Sequence, residues 1–534
     1  MPLLLIGGIA LGQEAPRVPA VPPPENARLP VALAPEKNLC AARADPVAVG
    51  SVQWNGWGRD PFNTRYQPEP AIRAMDVPKL GLKWAFGFQG GTEFGQPTLV
   101  DGRLFVTSSS GRIYALDAKS GCTYWTYDAP AGSRTAISIG ELGQSKRAAI
   151  PRKLKRTLAH LDVIKAPSAA FFGDDTGAVY ALDAQKGTLL WKSQVDTHPT
   201  ARIVSSPTMD NDRLYVAVGS NEDNNAANPN YSCCTFRGSV AALDIASGRV
   251  LWKSYTVLEE PQPTHKNSAG VQEFGPAGAA IVSSPTIDAK RGVLYVGTGR
   301  STTGIELSLT DSIAAFALND GKLRWVKQLT VPGRTASSAF ISSPVMRTLA
   351  SGNEIILAGQ VSGVVYGLDP DHGGEILWQV KPGADENGSG GVAWGTAADH
   401  RSWFVALSGA LAEASNSSGS LWALDPKTGM ARWHTPSPTP ACSWSEGPCS
   451  HAQSQAVTVM PGGVFSGSMD GHLRAYSTID GKILWDFDTA KTFQTQNGVR
   501  ASGGPLDHGG ATIVNGGVYI ISGNTLLAFS VDGK

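Results

Sequence analysis

One phrase recurs eight times along these 534 residues and closes each time on a tryptophan. Its plainest copy runs from Tyr114 through Asp117 and Gly121 to Trp125, and it returns with ends at Trp191, Trp252, Trp325, Trp378, Trp433 and Trp485. The eighth copy is split: LLAFSVDGK fills Leu526 to Lys534, and LGLKW ends at Trp84 near the other terminus. Such a repeat constrains architecture before any local reading does, because each unit can bury its apolar face only against its neighbours. Between the copies stand phrases such as Ser206-Pro207-Thr208 and Ser284-Pro285-Thr286, followed by runs such as RLYVAVG and VLYVGTG. Short runs of Tyr, Val, Leu and Trp, broken by Gly, Asp and Asn, read as antiparallel strands joined by hairpins. In the LDxxxG turn the Asp bonds its own backbone and the Gly accepts positive φ. No stretch sustains an apolar period of 3.6 residues. The prediction is an all-β fold, an eight-bladed β-propeller with four short strands per blade. The split copy predicts that the N-terminal strand completes the blade begun by the C-terminus, which closes the ring and removes two edges. The tryptophans stand about 57 residues apart, long for a bare blade, so several blades carry loop insertions.

Composition agrees with a turn-dense β protein: 61 glycines, 35 prolines and 42% hydrophobic residues. The formal net charge is zero, which gives no electrostatic case for nucleic acid or an anionic membrane surface. Residues 1–12 read as a signal peptide, an apolar stretch ending in small residues and too short to span a bilayer. Residues 13–50 read as a Pro-rich, unpacked tether, and 51–534 as the propeller. No later segment is expected to cross a membrane. Six cysteines, an even count, suggest disulfides and a secreted or periplasmic protein. Cys442 and Cys449 bracket a short loop, Cys233 and Cys234 are adjacent, and Cys40 and Cys122 are left over; connectivity itself does not follow from sequence. No C-x-x-C-H occurs, so covalent haem is not expected. The histidines are scattered in predicted turns and read as solvated loop residues. His508, in PLDHGG, is the one placed to do more.

Longer strings carry a resemblance. WNGWGRDPFNTRYQ (Trp54 to Gln67), CCTFRGSVAALD (Cys233 to Asp244), SSPTIDAKRGVLYVGTG (Ser283 to Gly299) and WDFDTAKTFQTQNGV (Trp485 to Val499) resemble the dehydrogenases that depend on pyrroloquinoline quinone (PQQ). The match is nearest to their polyvinyl alcohol dehydrogenase branch and covers roughly residues 51 to 534, and the repeat itself resembles that family's tryptophan-docking motif. The resemblance implies oxidation of an alcohol with PQQ and Ca²⁺ on the propeller axis, acting on a small-molecule substrate. Glu222 matches the family's calcium-ligating Glu, so it is a candidate both for metal binding and for catalysis. Arg134, Arg237 and Asn497 match positions near the cofactor, and Cys233-Cys234 match that branch's paired cysteines. Other positions depart from the pattern. Arg300 stands where the family carries a second calcium ligand, Val282 where it carries the aromatic floor, and Val361 where it carries a Lys. The segment between Trp325 and Ser342 carries no carboxylate for the family's catalytic Asp. A guanidinium cannot ligate Ca²⁺. A divergent or remodelled member is therefore expected. Two alternatives stand beside it. One is an enzyme of another class using the vacated pocket without PQQ, with Arg300 and Glu222 as its acting residues or merely as a salt bridge filling a metal site. The other is a non-catalytic ligand-binding or scaffold propeller.

Overall fold

The LDxxxG turns set the hairpins as their residues require. Gly121, Gly187 and Gly248 stand at φ of +74°, +71° and +70°. Asp117, Asp183 and Asp244 each accept a backbone N–H from two or three residues on. In the computed structural model the chain is described over residues 33–42, 45–50, 53–91, 95–142, 168–305, 307–330, 338–383, 390–411, 418–442 and 449–534. Eight antiparallel sheets follow one another radially. Numbered along the chain, blade 1 spans 98–128, blade 2 138–194, blade 3 201–255, blade 4 286–328, blade 5 345–380, blade 6 391–436 and blade 7 458–488. Blade 8 spans 512–531 and takes Leu80–Gly87 as its fourth strand, paired antiparallel with Thr525–Val531. The split repeat thus closes the ring. The candidate signal peptide lies outside the described residues. The tether does not stay loose where it is described. Leu39 bridges Thr123, Cys40 is disulfide-bonded to Cys122, and Val47 is buried in the core between blades 1 and 2.

Two sets of contacts join the blades. On the outer strands each indole reaches the next blade. Trp84, Trp125, Trp191, Trp252, Trp378, Trp433 and Trp485 donate Nε1–H to the carbonyls of Ala118, Ala184, Ile245, Leu318, Pro426, Thr478 and Leu80. Under every ring of the repeat but that of Trp485 lies the turn glycine of the next blade, where a side chain would crowd the indole. On the innermost strands the Thr or Ser of the Ser-Pro-Thr phrase reaches across. Thr98, Ser138, Thr208 and Thr286 donate to the carbonyls of Ile137, Pro207, Pro285 and Pro344, and Thr458 and Thr512 do the same at blades 7 and 8.

A strap from Trp54 to Gln67 crosses the inner strands. Trp54 pairs with Leu99 of blade 1, and Asn55 exchanges hydrogen bonds with Ile139 of blade 2. The carbonyls of Pro61, Phe62, Thr64 and Arg65 accept from Ile287, Met346, Ala398 and Val459 in blades 4 to 7, and Gln67 donates to Ile513 of blade 8. One short segment therefore ties seven inner strands together and spans one side of the axis. Among the described residues no helix is long and apolar enough to cross a membrane.

Candidate functional site

The propeller places equivalent residues of successive blades around its axis. The residue four before the first residue of an inner strand is Arg134 in blade 2, Val204 in blade 3, Val282 in blade 4, Ile341 in blade 5 and His508 in blade 8. All five line one pocket, together with Trp394 of blade 6, Ser284, Ser343 and Trp57 of the strap. The wall is divided. Blades 3 to 5 present three aliphatic side chains, whereas blades 2 and 8 present a guanidinium and an imidazole. The pocket holds only about 20 Å³, room for one oxygen-sized group.

His508 is held in a particular way. It stands at φ +62°, and its carbonyl accepts from Ala456 N. Its ring stacks on Trp394 with centroids 3.8 Å apart, and its Nδ1 lies 3.1 Å from Asp507 Oδ2. Trp394 Nε1 donates to Asp507 Oδ1 at 2.8 Å. Burial alone would raise the Asp507 carboxyl, but hydrogen bonds from His508 and Trp394 and the imidazole's charge outweigh it and hold the group below its ordinary value. Across the pocket Arg134 Nε lies 3.6 Å from Asp175 Oδ2.

A second cluster sits on the blade 3 loop that follows Arg213–Ser220. Glu222 is 1% exposed. Its carboxylate accepts from Thr235 N and Phe236 N, both at 2.8 Å, and from the Tyr231 hydroxyl. His198 Nε2 lies 3.9 Å away, and burial lowers that imidazole although Glu222 and Asp196 pull the other way. His198 is thus packed against a carboxylate and a phenyl ring rather than solvated as a turn residue. Cys233 and Cys234 are disulfide-bonded beside Thr235, and the strand Gln272–Gly275 hydrogen-bonds to both. Arg237 lays its guanidinium over Tyr255 at 4.0 Å and reaches Leu258 O and Glu260. Arg300 does not meet Glu222 as the salt-bridge reading expected. It is 57% exposed and lies 3.5 Å from the neighbouring Asp223. Asn497, on the connection between blades 7 and 8, is buried with its amide bracketing the N–H and C=O of Gly87. Val361 donates its N–H to Ala339 O. Residues 331–337 of the shortened segment lie outside the described residues. Of the seven candidate site residues, then, only Arg134 lines the described axial pocket.

Asp311 carries a signal that sequence reading missed. It stands at φ +49°, and its Oδ1 is buried without a hydrogen-bond partner. Burial pushes its carboxyl up to about 6, with Arg300 drawing it down. A folded-state value above the unfolded one means that the folded chain holds the proton more tightly. Its contribution to stability is full below about pH 4 and is lost as pH rises through about 6. Asp311→Asn should therefore raise stability at pH 7.5 by about 1–2 kcal/mol after allowance for solvent screening, read as a higher melting temperature, and leave it unchanged at pH 4. Melts that shift equally at both pH values would refute this.

Comparison with known proteins completes the description. A family model described as "Glucose/ethanol/alcohol dehydrogenase, beta-propeller domain" matches residues 54–333, and one described as "Outer membrane protein assembly factor BamB" matches 361–534. The chain is 41% identical to a polyvinylalcohol dehydrogenase of Pseudomonas sp over 93% of its length and 80% of the relative's. It is 38% identical to another from Sphingopyxis sp. (strain 113P3), over 93% and 79% of the two chains. Among solved structures it is similar to quinohemoprotein alcohol dehydrogenase from Comamonas testosteroni, with a TM-score of 0.62 and 19% identity over 90% of this chain and 81% of that one.

Proposed function

The chain belongs to the PQQ-dependent dehydrogenase propellers, in their polyvinyl alcohol dehydrogenase branch, and from that premise we propose that it oxidises an alcohol whose hydroxyl enters the axial pocket. The observation that carries this reading is the divided wall at the axis. Aliphatic residues form one side of the pocket and Arg134 and His508 the other, and the space between them matches one hydroxyl oxygen. A bound quinone supplies the acceptor for hydride. Arg134 and the indole of Trp394 are the groups whose chemistry would suit a planar, anionic quinone beside this pocket, since the pocket itself holds only one oxygen-sized group.

The same reading includes a cofactor site remodelled away from calcium. Calcium asks for six to eight oxygen ligands. The Glu222 carboxylate already accepts three hydrogen bonds from its own loop, Arg300 puts a cation beside Asp223, and Val282 is the residue on the axis in blade 4. Among the described residues no cluster of three or more His, Cys, Asp or Glu could hold a metal. Glu222 then serves the loop that carries Cys233, Cys234 and Arg237, and Arg300 its rim. Three disulfides favour an extracytoplasmic setting, where such bonds persist.

The test is to incubate the purified protein with PQQ, with either Ca²⁺ or a chelator, and record its absorption spectrum and the mass of extracted cofactor. Dye-linked oxidation of ethanol and of polyvinyl alcohol is assayed beside it. Stoichiometric quinone in both samples with alcohol-dependent turnover is the expected result. Quinone bound only with calcium would overturn the remodelled site. No quinone and no turnover would leave the second reading, a propeller that binds a small ligand without chemistry. That reading draws on the internal saturation of Glu222.

A further inference from the structure

We propose that Asp507 and His508 form a proton-accepting dyad in the axial pocket, in which His508 Nε2 takes the proton of a hydroxyl seated in that pocket. The inference rests on the reading of that pocket as the place where a hydroxyl enters. Three observations carry it. His508 lines the pocket at the position equivalent to Arg134, Val204, Val282 and Ile341 of other blades. Its backbone sits in the left-handed region, which non-glycine residues adopt rarely and mostly where surroundings enforce it. Here the enforcement is visible: Ala456 N holds the carbonyl and Trp394 stacks on the ring. Finally, the carboxylate is itself oriented. Trp394 Nε1 and His508 N both donate to Asp507 Oδ1, which leaves Oδ2 against the imidazole Nδ1.

Nδ1 meets Oδ2 as a charge contact at 3.1 Å rather than as a hydrogen bond, so stacking on Trp394 fixes the ring, the carboxylate stabilises the imidazolium, and proton traffic runs through Nε2. The step is a proton transfer alone. The substrate O–H bond breaks, an Nε2–H bond forms, and no electrons leave the pair. Asp507 stays ionised and faces the new cation. Arg134 on the opposite wall, itself beside Asp175, stabilises the resulting oxyanion, and Arg65 lies behind Gly510 on the strap side. His508 is thus the catalytic residue, and Asp507 and Trp394 are positioning residues. The dyad takes the place of the carboxylate base that the segment after Trp325 does not supply.

The experiment uses the full chain and two variants. His508→Asn keeps a residue type that tolerates positive φ, and Asp507→Asn keeps the hydrogen bond to Trp394 while removing the charge. Binding is read with 2,2,2-trifluoroethanol by ¹⁹F NMR, without cofactor, across pH 5 to 9. Turnover is read with PQQ, dye and ethanol. Saturable binding of the fluoroalcohol by wild type, weakened tenfold or more in both variants and lost as pH falls, is the expected result. In turnover, kcat should drop by 10²- to 10⁴-fold in His508→Asn, and the acid limb of the kcat/KM profile should vanish. Exogenous imidazole should restore part of the rate. Variants that bind and turn over like wild type would overturn the dyad, as would a wild type that does not bind the alcohol at all. A wild type that binds the alcohol with this dependence on His508 but never oxidises it keeps the dyad and removes the oxidoreductase reading.

Discussion

Replacing Arg65 with methionine is expected to lower stability by about 3–5 kcal/mol, the cost of stripping a buried, hydrogen-bonded cation from its partners. Arg65 is 1% exposed, and every acceptor it uses is neutral. Its guanidinium donates to Val457 O, Trp57 O, Gln96 Oε1 and Thr458 Oγ1 and lies over the rings of Trp54 and Trp57. Burial without a carboxylate pushes it down to about 9, so at neutral pH it remains charged. Methionine would fill much of the stem volume yet strip the carbonyls of Val457 and Trp57 of their donor, while Gln96 Oε1 keeps Gly510 N and Thr458 Oγ1 its bond to Ala511 O, in the segment that ties the inner strands of seven blades. The loss should appear as a fall in the urea midpoint. Arg432→Met, which removes only a solvent-facing pair with Asp425, should stay within about 0.5 kcal/mol. Equal small shifts in the two variants would mean that the strap is a passenger on a ring already closed by its own blades. The same variant reports on the site, because Trp57 lines the axial pocket and its carbonyl is one of the four acceptors.

The ring is legible in the local pattern, whereas at the axis only Arg134 and Val282 are reached, by resemblance, for one physical reason. Blade information is local. An Asp, a Gly at a turn and a Trp recur within a dozen residues, so each unit announces its own hairpin, and the split copy announces closure. Axial contacts come one residue per blade, from chain positions far apart. Arg134, Val282 and His508 meet across hundreds of residues, and nothing in the spacing near any of them says so. A signal existed: each stands four residues before an inner strand, and a comparison of that column across the repeats would have collected Val204 and Ile341 as well. Trp394 would have escaped it, since it stands three residues before Ala397. The strap would have escaped too. WNGWGRDPFNTRYQ reads as a polar, turn-rich loop, and its order comes from hydrogen bonds such as Asn63 to Ser284 and Gln67 to Ile513. Charge misled in one place. Arg300 and Glu222 read as partners because both replace or retain positions of one metal site. Yet Glu222 turns into its own loop toward Thr235 and Phe236, and the carboxylate that faces Arg300 is Asp223. The tether misled for lack of a partner. Sequence leaves Cys40 to Cys122 only by remainder, and that bond is part of what lays residues 33–42 and 45–50 along blade 1.

The turn glycines allow the tryptophan joints to be weighed separately from the backbone that carries them. Gly187 and Gly292 share a left-handed backbone, at φ +71° and +66°. They differ in what a Cβ would meet. At Gly292 there is nothing within 4 Å, whereas at Gly187 two ring atoms of Trp125 lie 2.5 Å away. Alanine at Gly292 should therefore cost only the conformational term, about 1 kcal/mol. Alanine at Gly187 adds displacement of an indole that is 7% exposed and donates to Ala184 O. Moving that ring opens the packing between blades 1 and 2 and breaks its hydrogen bond, which brings the total to about 3–5 kcal/mol, the range of losing a large buried aromatic. The difference between the two variants, measured by thermal melts under identical conditions, isolates the joint from the turn. Trp125→Phe in the Gly187→Ala background completes the cycle: if the clash is the cause, the smaller ring should recover part of the loss, although it forfeits the indole N–H. Should Gly187→Ala prove no worse than Gly292→Ala, the indole would be free to tilt at no cost. The eight tryptophans would then mark the repeats without holding them together, and closure would rest on the inner threonine ring and the strap alone.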